Sequence, residues 1–340
     1  MIPIEGVDPR LGVSPADDDF HRPTSADPSW IETVWFPFWI PEAGISVYAR
    51  IWFRPNAGEQ GGAVHAWHGT SEILAYDGWT EPFTGFGDLR DLSLARGFRL
   101  VCESPLSRYR ITHRSASIEL DVAFEARTTP NPVAPEESPG MFAGHLEQPG
   151  RVRGRIRLGE RSWAIDCGSI RDRSWGPRTM RSDLRLGNAH GTSRTGDAFF
   201  AYVNPDAAGI ERITSGYFLQ AGRAARIVAG ERRTHWEGAH PRTIELELRD
   251  ALDRTARYRG DVANRQAIDA GQEIYAVLNL VRWTRAGAGM AASAAGFERA
   301  APPAAAAGSA AGDPLWGENH DIWSRSAWLA TGRAPLPKRG

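Results

Sequence analysis

Lysine is almost absent from this sequence. Of the 40 basic residues in a chain of 340, a single one is a lysine, Lys338 near the end, and the others are arginines. Schiff-base catalysis and a phosphate-binding P-loop both need a lysine in the body of the fold. The sequence therefore excludes both of these chemistries.

Cysteine and long apolar runs are scarce as well. The two cysteines, Cys102 and Cys167, lie far apart, which is more typical of a reducing compartment than of a disulfide scaffold. The opening run MIPIEGVDPR has neither the basic nor the apolar region of a signal peptide. No apolar stretch reaches the roughly 18 residues of a transmembrane helix. We therefore predict a cytoplasmic protein without a transmembrane segment.

The chain also has no large excess of charge of either sign, since the net charge is −1. No overall field attracts the chain to nucleic acid or to an anionic membrane, so a nucleic-acid partner is not expected. The run GAGMAA at 287–292 matches a dinucleotide-binding fingerprint only superficially, because no βαβ pattern follows it. The sequence predicts no cofactor.

Aromatic residues, by contrast, are abundant, with 13 Trp and 13 Phe. Such side chains bury much area, and they also line pockets for flat or apolar ligands. Apolar residues make up 41% and charged residues 24%, as in a soluble globular protein. A hydrophobic small molecule is therefore the expected partner, while the oligomeric state stays open.

Most of the chain alternates between apolar and polar residues with a period of two, as half-buried strands do. The predicted strands lie at 45–53, 118–126, 152–158, 162–167, 198–203, 214–219, 224–229, 243–249, 255–260 and 273–284. One short helix is predicted at 88–96, with Asp88 or Asp91 as its cap. Many short strands separated by turn signals indicate an all-β sandwich or barrel.

Two segments lack this alternation. Residues 1–29 are rich in Pro and Asp and are predicted to form an irregular N-terminal arm. Residues 285–313 are Ala/Gly low-complexity sequence, which predicts a mobile loop between two strands.

Four runs together resemble the carotenoid hydratase (hydroxyneurosporene synthase)-like superfamily, and within it an uncharacterised bacterial branch. They are WIETVWFPFWIPEAGISVYARIWFRPN, HLEQPGRVRGRIRLG, RDRSWGPR and WGENHDIWS. The resemblance covers residues 25–335, and D-x-S-W-G-P-R is its most specific part. It implies two tandem lipocalin-like antiparallel β-barrel or sandwich domains, which we place at 30–178 and 179–335, with a ligand pocket in or between them. Characterised members include carotenoid hydratases and fungal cyclases that direct a Diels–Alder reaction.

Two departures from the family pattern bear on the reaction. The hydratases have an Asp-His pair before the Trp of this motif, and Arg173 stands here at the His position. They also have a Tyr-x-Asp pair downstream, whose nearest match is Tyr202-Val203-Asn204, with an amide in place of the acid. Both departures put the hydration of an isolated alkene in doubt.

The run CGSIRDRSWGPR at 167–178 has two interpretations. In an extended segment, Asp172 and Ser174 share one face, and the other face carries Arg171, Arg173 and Trp175. In an active site, Trp175 would form a flat wall, and burial or Arg178 would shift the pKa of Asp172. In a structural clasp, Asp172 would pair with an arginine and Trp175 would pack under the domain junction.

Histidines beside tryptophans are further candidates. In HAWH, His65 and His68 point to opposite faces of a strand, which argues against a metal site, and Trp67 lies between them. A place at the pocket edge is the remaining functional interpretation.

Glu318 and His320 share a strand face, which suits a general acid–base pair or a hydrogen-bond network that closes the second barrel. His145 and Glu147 repeat this pairing.

Together, these features predict an enzyme that needs no cofactor, a hydratase, isomerase or cyclase of terpenoid, steroid or polyketide-like substrates. Aromatic faces stabilise a developing cation, and a desolvated acid donates the proton. The predicted catalytic residues are Asp172, Tyr202, Glu318 and His320. The predicted substrate-binding residues are Trp175, Arg178, His65, Trp67, His68, His145, Asn204, Trp316 and Trp323. No metal site is predicted. The alternatives are a non-catalytic lipocalin-like carrier, and a purely structural or interaction protein.

Overall fold

The computed structural model describes residues 1–137, 140–179, 181–271, 273–286 and 314–337. In these ranges the strands are β1 (Ile4–Glu5), β2 (Trp30–Ile40), β3 (Ile45–Arg54), β4 (Glu59–His68), β5 (Glu72–Pro82), β6 (Asp91–Leu94), β7 (Phe98–Ser104), β8 (Arg108–Arg114), β9 (Ile118–Ala126), β10 (Asn131–Val133), β11 (Gly144–Leu158), β12 (Arg161–Pro177), β13 (Arg185–Thr192), β14 (Ala198–Pro205), β15 (Glu211–Gln220), β16 (Arg223–Glu237), β17 (His240–Asp250), β18 (Thr255–Gly271), β19 (Ile274–Arg285) and β20 (Leu315–Ser324). The α-helix α1 spans Arg325–Ala330. Short 3₁₀ turns lie at Pro9–Leu11, Pro15–Asp18, Pro41–Ala43, Pro55–Ala57, Ala95–Gly97 and Pro135–Glu137.

The first sheet is a curled half-barrel. Its strand order is β5-β4-β3-β2-β12-β11-β9-β8-β7-β6, and β10 pairs with β11. Alternate residues such as Val34, Phe36, Phe38 and Phe124 point into its concave side and form the core of this half.

The second sheet is a closed eight-stranded barrel of β13 to β20. Pairing of β16 with β17 closes it, and β1 from the N-terminal segment adds to β16 in parallel. Phe199, Leu246, Tyr258 and Trp283 fill its interior. The predicted all-β class with two lipocalin-like barrel units is thereby confirmed.

One predicted element is wrong. Residues 88–96 do not form a helix, because Asp91–Leu94 is strand β6, paired antiparallel with β7, and Ala95–Gly97 is a 3₁₀ turn. Leu92 and Leu94 lie two residues apart on one strand face, and both pack against the core of the half-barrel. The low-complexity loop predicted at 285–313 lies almost wholly outside the described residues, between the end of β19 and the start of β20.

The chain passes from the first sheet to the second between Pro177 and Arg185. The N-terminal arm contacts both sheets, since Ile4 pairs with Ala224 of the barrel and the Asp18 carboxylate accepts from Arg171 of the half-barrel. A domain division at 178/179 stays a prediction. None of the helices in the described ranges has the length and hydropathy needed to cross a bilayer.

The two units pack together through outward-facing strand residues. On β20, Asn319 and Asp321 bind Arg232 inside the barrel, whereas His320 points the other way, and its ring lies 4.8 Å from that of Trp35 on β2. Asn264 of β18 is hydrogen-bonded to Ser46 of β3 at the same junction. The space between the sheets is therefore lined by alternate residues of both.

Candidate active site

A cavity of about 210 Å³ lies between the two sheets. Alternate residues of β2, β11 and β12 form one wall, and alternate residues of β13, β19 and β20 form the opposite wall. Ile31, Leu186, Ile322 and Trp35 provide apolar surface. The cavity lies in neither barrel interior, because the residues that fill the two interiors point to the opposite faces of their strands.

Strand register brings the polar groups of the first wall together. Glu147 of β11 lies opposite Asp172 of β12, and Asp172 lies opposite Trp35 of β2. In the neighbouring row, His145 lies opposite Ser174. Because residues two apart share a strand face, His145 and Glu147 both border Asp172.

These three residues form one compact group, which we call the His145 cluster. The Nε2 atom of His145 lies 2.7 Å from Oε1 of Glu147 and 3.3 Å from Oδ2 of Asp172. Phe142 and Tyr202 place their rings edge-on to the imidazole, with centroids 4.7 and 6.0 Å away. Tyr202 belongs to the barrel, so the cluster touches both units.

The surroundings of the His145 cluster favour the protonated forms of His145 and Glu147. Burial alone would lower the pKa of His145, but the carboxylates of Asp172 and Glu147 reverse this effect and raise the pKa to about 10. Burial and the neighbouring Asp172 charge raise the pKa of Glu147 well above its usual value. Burial would also raise the pKa of Asp172, but the His145 charge lowers it. At neutral pH the cluster thus holds an imidazolium and an ionised Asp172, and the raised pKa of Glu147 favours the protonated form of that carboxyl.

The opposite wall carries a second group, the Glu318 cluster of Glu318, His190 and His320. Oε2 of Glu318 lies 3.3 Å from Nε2 of His320 and 3.7 Å from Nε2 of His190. All three side chains are buried. Neither carboxylate oxygen of Glu318 has a hydrogen bond of normal geometry within the described part of the chain.

The surroundings of the Glu318 cluster favour the deprotonated forms of Glu318 and His190. Burial would raise the pKa of Glu318, but the imidazoles of His320 and His190 lower it to about 2. Burial lowers the pKa of His190. Glu318 is therefore a carboxylate and His190 a neutral imidazole at neutral pH. The charge of Asp172 also acts on His190, which shows that the two clusters share one electrostatic environment.

Six of the predicted site residues line the cavity. They are Asp172, Tyr202, Glu318, His320, Arg178 and His145. The residues that the predictions missed include His190, Trp35 and Arg50, and Glu147 was weighed only as the partner of His145. Asn188 and His190 alternate on β13 as Glu318 and His320 do on β20, and this pattern was the available signal.

Trp175 lies outside the cavity. Its ring stacks on His21 of the N-terminal arm, with centroids 3.5 Å apart and planes within 5°. On the same face, Arg173 is bonded to Glu32, and Arg171 is bonded to Asp18. The Trp175 face of the 167–178 run therefore packs against the N-terminal arm, and not against the cavity or under the domain junction. Asp172, on the other face, pairs with His145 rather than with an arginine.

The HAWH residues also lie elsewhere. His65 is buried between Tyr48 Oη and Gln266 Nε2, each 3.3 Å from a ring nitrogen. Trp67 is fully buried in the same junction, and His68 binds Glu72 at 3.0 Å on the half-exposed side. Strand β4 contacts β18 of the barrel, and none of these three side chains lines the cavity.

Three further predicted contacts are absent from the cavity wall. The Asn204 amide donates to the Glu137 carbonyl and to Thr214. Trp316 packs against the core of the half-barrel, and Trp323 packs with aromatic residues near α1. Each of these side chains either points to the strand face opposite the cavity or lies beyond the ends of the cavity.

The His145 cluster is also a possible metal site, the one group of three suitable side chains among the described residues. Its candidate ligand atoms lie within 4.8 Å of one another. His145 Nε2 already lies within hydrogen-bonding distance of both carboxylates, so the side chains present satisfy this atom without an ion.

The proton on His145 is directly testable. We expect NMR titration to give His145 a pKa of about 10, and Asp172→Asn to lower it because the neutral amide no longer stabilises the imidazolium. A folded pKa above the unfolded value of about 6.5 stabilises the fold fully below pH 6.5, and this contribution is lost as the pH rises to about 10. A His145 pKa near 6.5 in the wild type would contradict the assignment.

A family described as a domain of unknown function (DUF7064) matches residues 14–294, and the chain belongs to it. Among curated proteins, none matches the sequence.

Solved structures of other proteins share the fold. A Nitrosomonas europaea protein described as AttH is 13% identical, with a TM-score of 0.60 over 96% of this chain and 100% of its own. CghA is 11% identical, with a TM-score of 0.53 over 93% and 96% of the two chains. Kievitone hydratase from Nectria haematococca is 13% identical, with a TM-score of 0.51 over 91% and 92%. At such identities the likeness shows the fold alone.

Proposed function

We propose that this member of the DUF7064 family is an enzyme that transfers protons to and from a hydrophobic small molecule bound between its two sheets, without a cofactor. The reaction is a hydration, isomerisation or cyclisation of a terpenoid, steroid or polyketide-like substrate. The observation that carries the proposal is that two acid–base clusters of opposite protonation face one cavity. Groups whose surroundings separate their pKa values in this way are suited to act as acid and base.

The two clusters have complementary roles in this chemistry. The imidazolium of His145 or the acid of Glu147 protonates one carbon of a double bond. Water then adds to the neighbouring carbon and gives a proton to Glu318 or His190, or the same base removes a proton from carbon and so shifts the double bond. Trp35, beside both clusters, stabilises the developing cation by about 0.5–2 kcal/mol.

The cavity size limits what is enclosed. About 210 Å³ is less than the roughly 300–1,000 Å³ of a typical ligand pocket. The cavity thus encloses the reacting part of a larger substrate, and the rest extends outward or widens the space.

Two structural neighbours support an enzyme of this kind. One bears the name of a hydratase, and CghA has been solved with the small molecule Sch210972. The narrower link to carotenoid hydratases stays a prediction. The carrier alternative relied partly on Asn204 in place of an acid, and Asn204 is bonded to Glu137 outside the cavity.

The test is incubation of the purified protein with a lipid extract of its source organism in heavy water, followed by mass spectrometry. We expect one metabolite to gain deuterium or the mass of one heavy water, and heat-inactivated protein to give no gain. A metabolite with unchanged mass and altered retention time would indicate a pericyclic reaction in place of proton transfer. A metabolite that is enriched on the protein but unchanged in mass and retention time would overturn the enzyme in favour of a carrier.

A further inference from the structure

Two arginines, Arg178 and Arg50, face the cavity in addition to the acid–base clusters. The side-chain hydrogen bonds of Arg178 go to hydroxyl groups: Nη2 lies 2.8 Å from Ser174 Oγ and 3.4 Å from Thr33 Oγ1. No carboxylate lies within ion-pair distance of Arg178 in the described part of the chain. A partly buried guanidinium with only neutral partners is unusual, because buried charges are normally paired.

The nearby carboxylates are already engaged. Asp172 is bonded to His145, and Glu318 lies between two imidazoles on the other wall. Burial and the positive charge of Arg50 lower the pKa of Arg178 to about 10, so it remains a cation at neutral pH. His145 is also protonated, so two cations, Arg178 and His145, face the cavity beside the carboxylates of Asp172 and Glu318.

We propose that Arg178, assisted by Arg50, binds an anionic oxygen of the substrate, so that the ligand is a hydrophobic molecule with a carboxylate or an acidic enol or phenol. Arg presents a planar fork that matches such oxygens, and Ser174 and Thr33 hold this fork toward the cavity. Ser174 lies opposite His145 in the strand register. The anion would therefore be anchored beside the proton donor, with the apolar body of the molecule against Ile31 and Leu186. This inference rests on the proposed function in that it takes the same cavity as the ligand site.

The test compares two probes of equal shape, 2-naphthoate and the neutral 2-naphthamide, by calorimetry at pH 7.5. Because a hydrogen bond to a charged group is stronger than one between neutral groups, we expect the carboxylate to bind about ten- to a hundred-fold more tightly. Arg178→Gln should abolish this preference, and Arg178→Lys, which keeps the charge without the fork, should retain part of it. Arg155→Gln, an exposed change on β11, is the matched control and should leave the preference unchanged.

Each outcome has a distinct meaning. Equal affinities in the wild type, or a preference that survives Arg178→Gln in protein with normal thermal unfolding, overturn the anion site and leave the proton-transfer proposal standing. A preference for 2-naphthoate without any isotope incorporation supports the anion site and overturns the proton-transfer reaction. Displacement of 2-naphthoate by an equal concentration of acetate would show a site for small free anions and overturn the assignment to a hydrophobic substrate. Failure of both probes to bind overturns the cavity as the ligand site.

Discussion

Asp172→Asn is expected to reduce isotope incorporation by about 10²–10⁴-fold, the usual contribution of general acid–base catalysis. The carboxylate of Asp172 stabilises the charge on His145, and an amide at the same position does not. His145 would then lose its proton near neutral pH, and loss of the Asp172 charge would also lower the pKa of Glu147, so both proton donors would be weakened. The measurement is the rate of deuterium gain in the metabolite that the wild-type protein labels.

The fold should survive this change. Loss of the Asp172 charge lowers the pKa of His145, so the imidazole becomes neutral and is not left as a buried cation without a partner. We expect the midpoint of thermal unfolding to change by no more than about 4 °C.

Asp166→Asn is the matched control, since Asp166 lies on the same strand, is exposed and binds Arg151 away from the cavity. Full incorporation by Asp172→Asn would remove Asp172 from the mechanism.

The strand pattern of the sequence predicted much of this molecule, because alternation is a local property. On β12 it separated Asp172 and Ser174 from Arg171, Arg173 and Trp175, and the structure has the same two faces. The residues that pack against each face, however, come from distant parts of the sequence. His21 and Glu32 lie about 150 residues before Trp175 and Arg173, and no nearby residue indicates that the arm folds back onto them.

The two acid–base pairs illustrate the same limit. The spacing of His145 and Glu147, and of Glu318 and His320, is visible in the sequence. Their opposite protonation is not, because it depends on neighbours from other strands: Asp172 raises the pKa of Glu147, and His190 helps to lower that of Glu318. The sequence also could not show that both pairs face one cavity between the units.

The other face of the 167–178 run leads to a prediction about stability. Arg171 Nη1 donates to Asp18 Oδ1 at 2.9 Å, Tyr109 Oη donates to Asp18 Oδ2 at 2.6 Å, and both charged side chains are 1% exposed. Arg171→Met leaves the Asp18 carboxylate buried without its main cation. Removal of one partner from a buried pair costs about 3–5 kcal/mol, so we expect the free energy of unfolding to fall by about that amount. Urea denaturation at pH 7 is the measurement.

Arg110→Met is the matched control, because Arg110 binds Asp121 in an exposed pair, and its loss should cost no more than about 1 kcal/mol. The double variant Asp18→Asn/Arg171→Met removes both charges and should recover part of the lost stability. Isotope incorporation by Arg171→Met should stay normal below its unfolding temperature, since Arg171 points away from the cavity.

The pH dependence of the free energy of unfolding distinguishes two effects of Arg171→Met, loss of the buried ion pair with Asp18 and loss of side-chain packing. In the wild type, burial would raise the pKa of Asp18, but Arg171 and the other partners of this carboxylate lower it. The ionised Asp18 therefore stabilises the fold above the unfolded pKa of about 3.9, and this contribution is lost as the pH falls through the folded pKa. Without Arg171, burial raises the folded pKa, and protonation then stabilises the variant as the pH falls. The stability gap between wild type and variant should therefore narrow from pH 7 toward pH 4. A gap that is constant with pH would mean that Arg171 acts through its packing on Tyr109, whose ring lies 4.4 Å from the guanidinium, and not through the charge of Asp18.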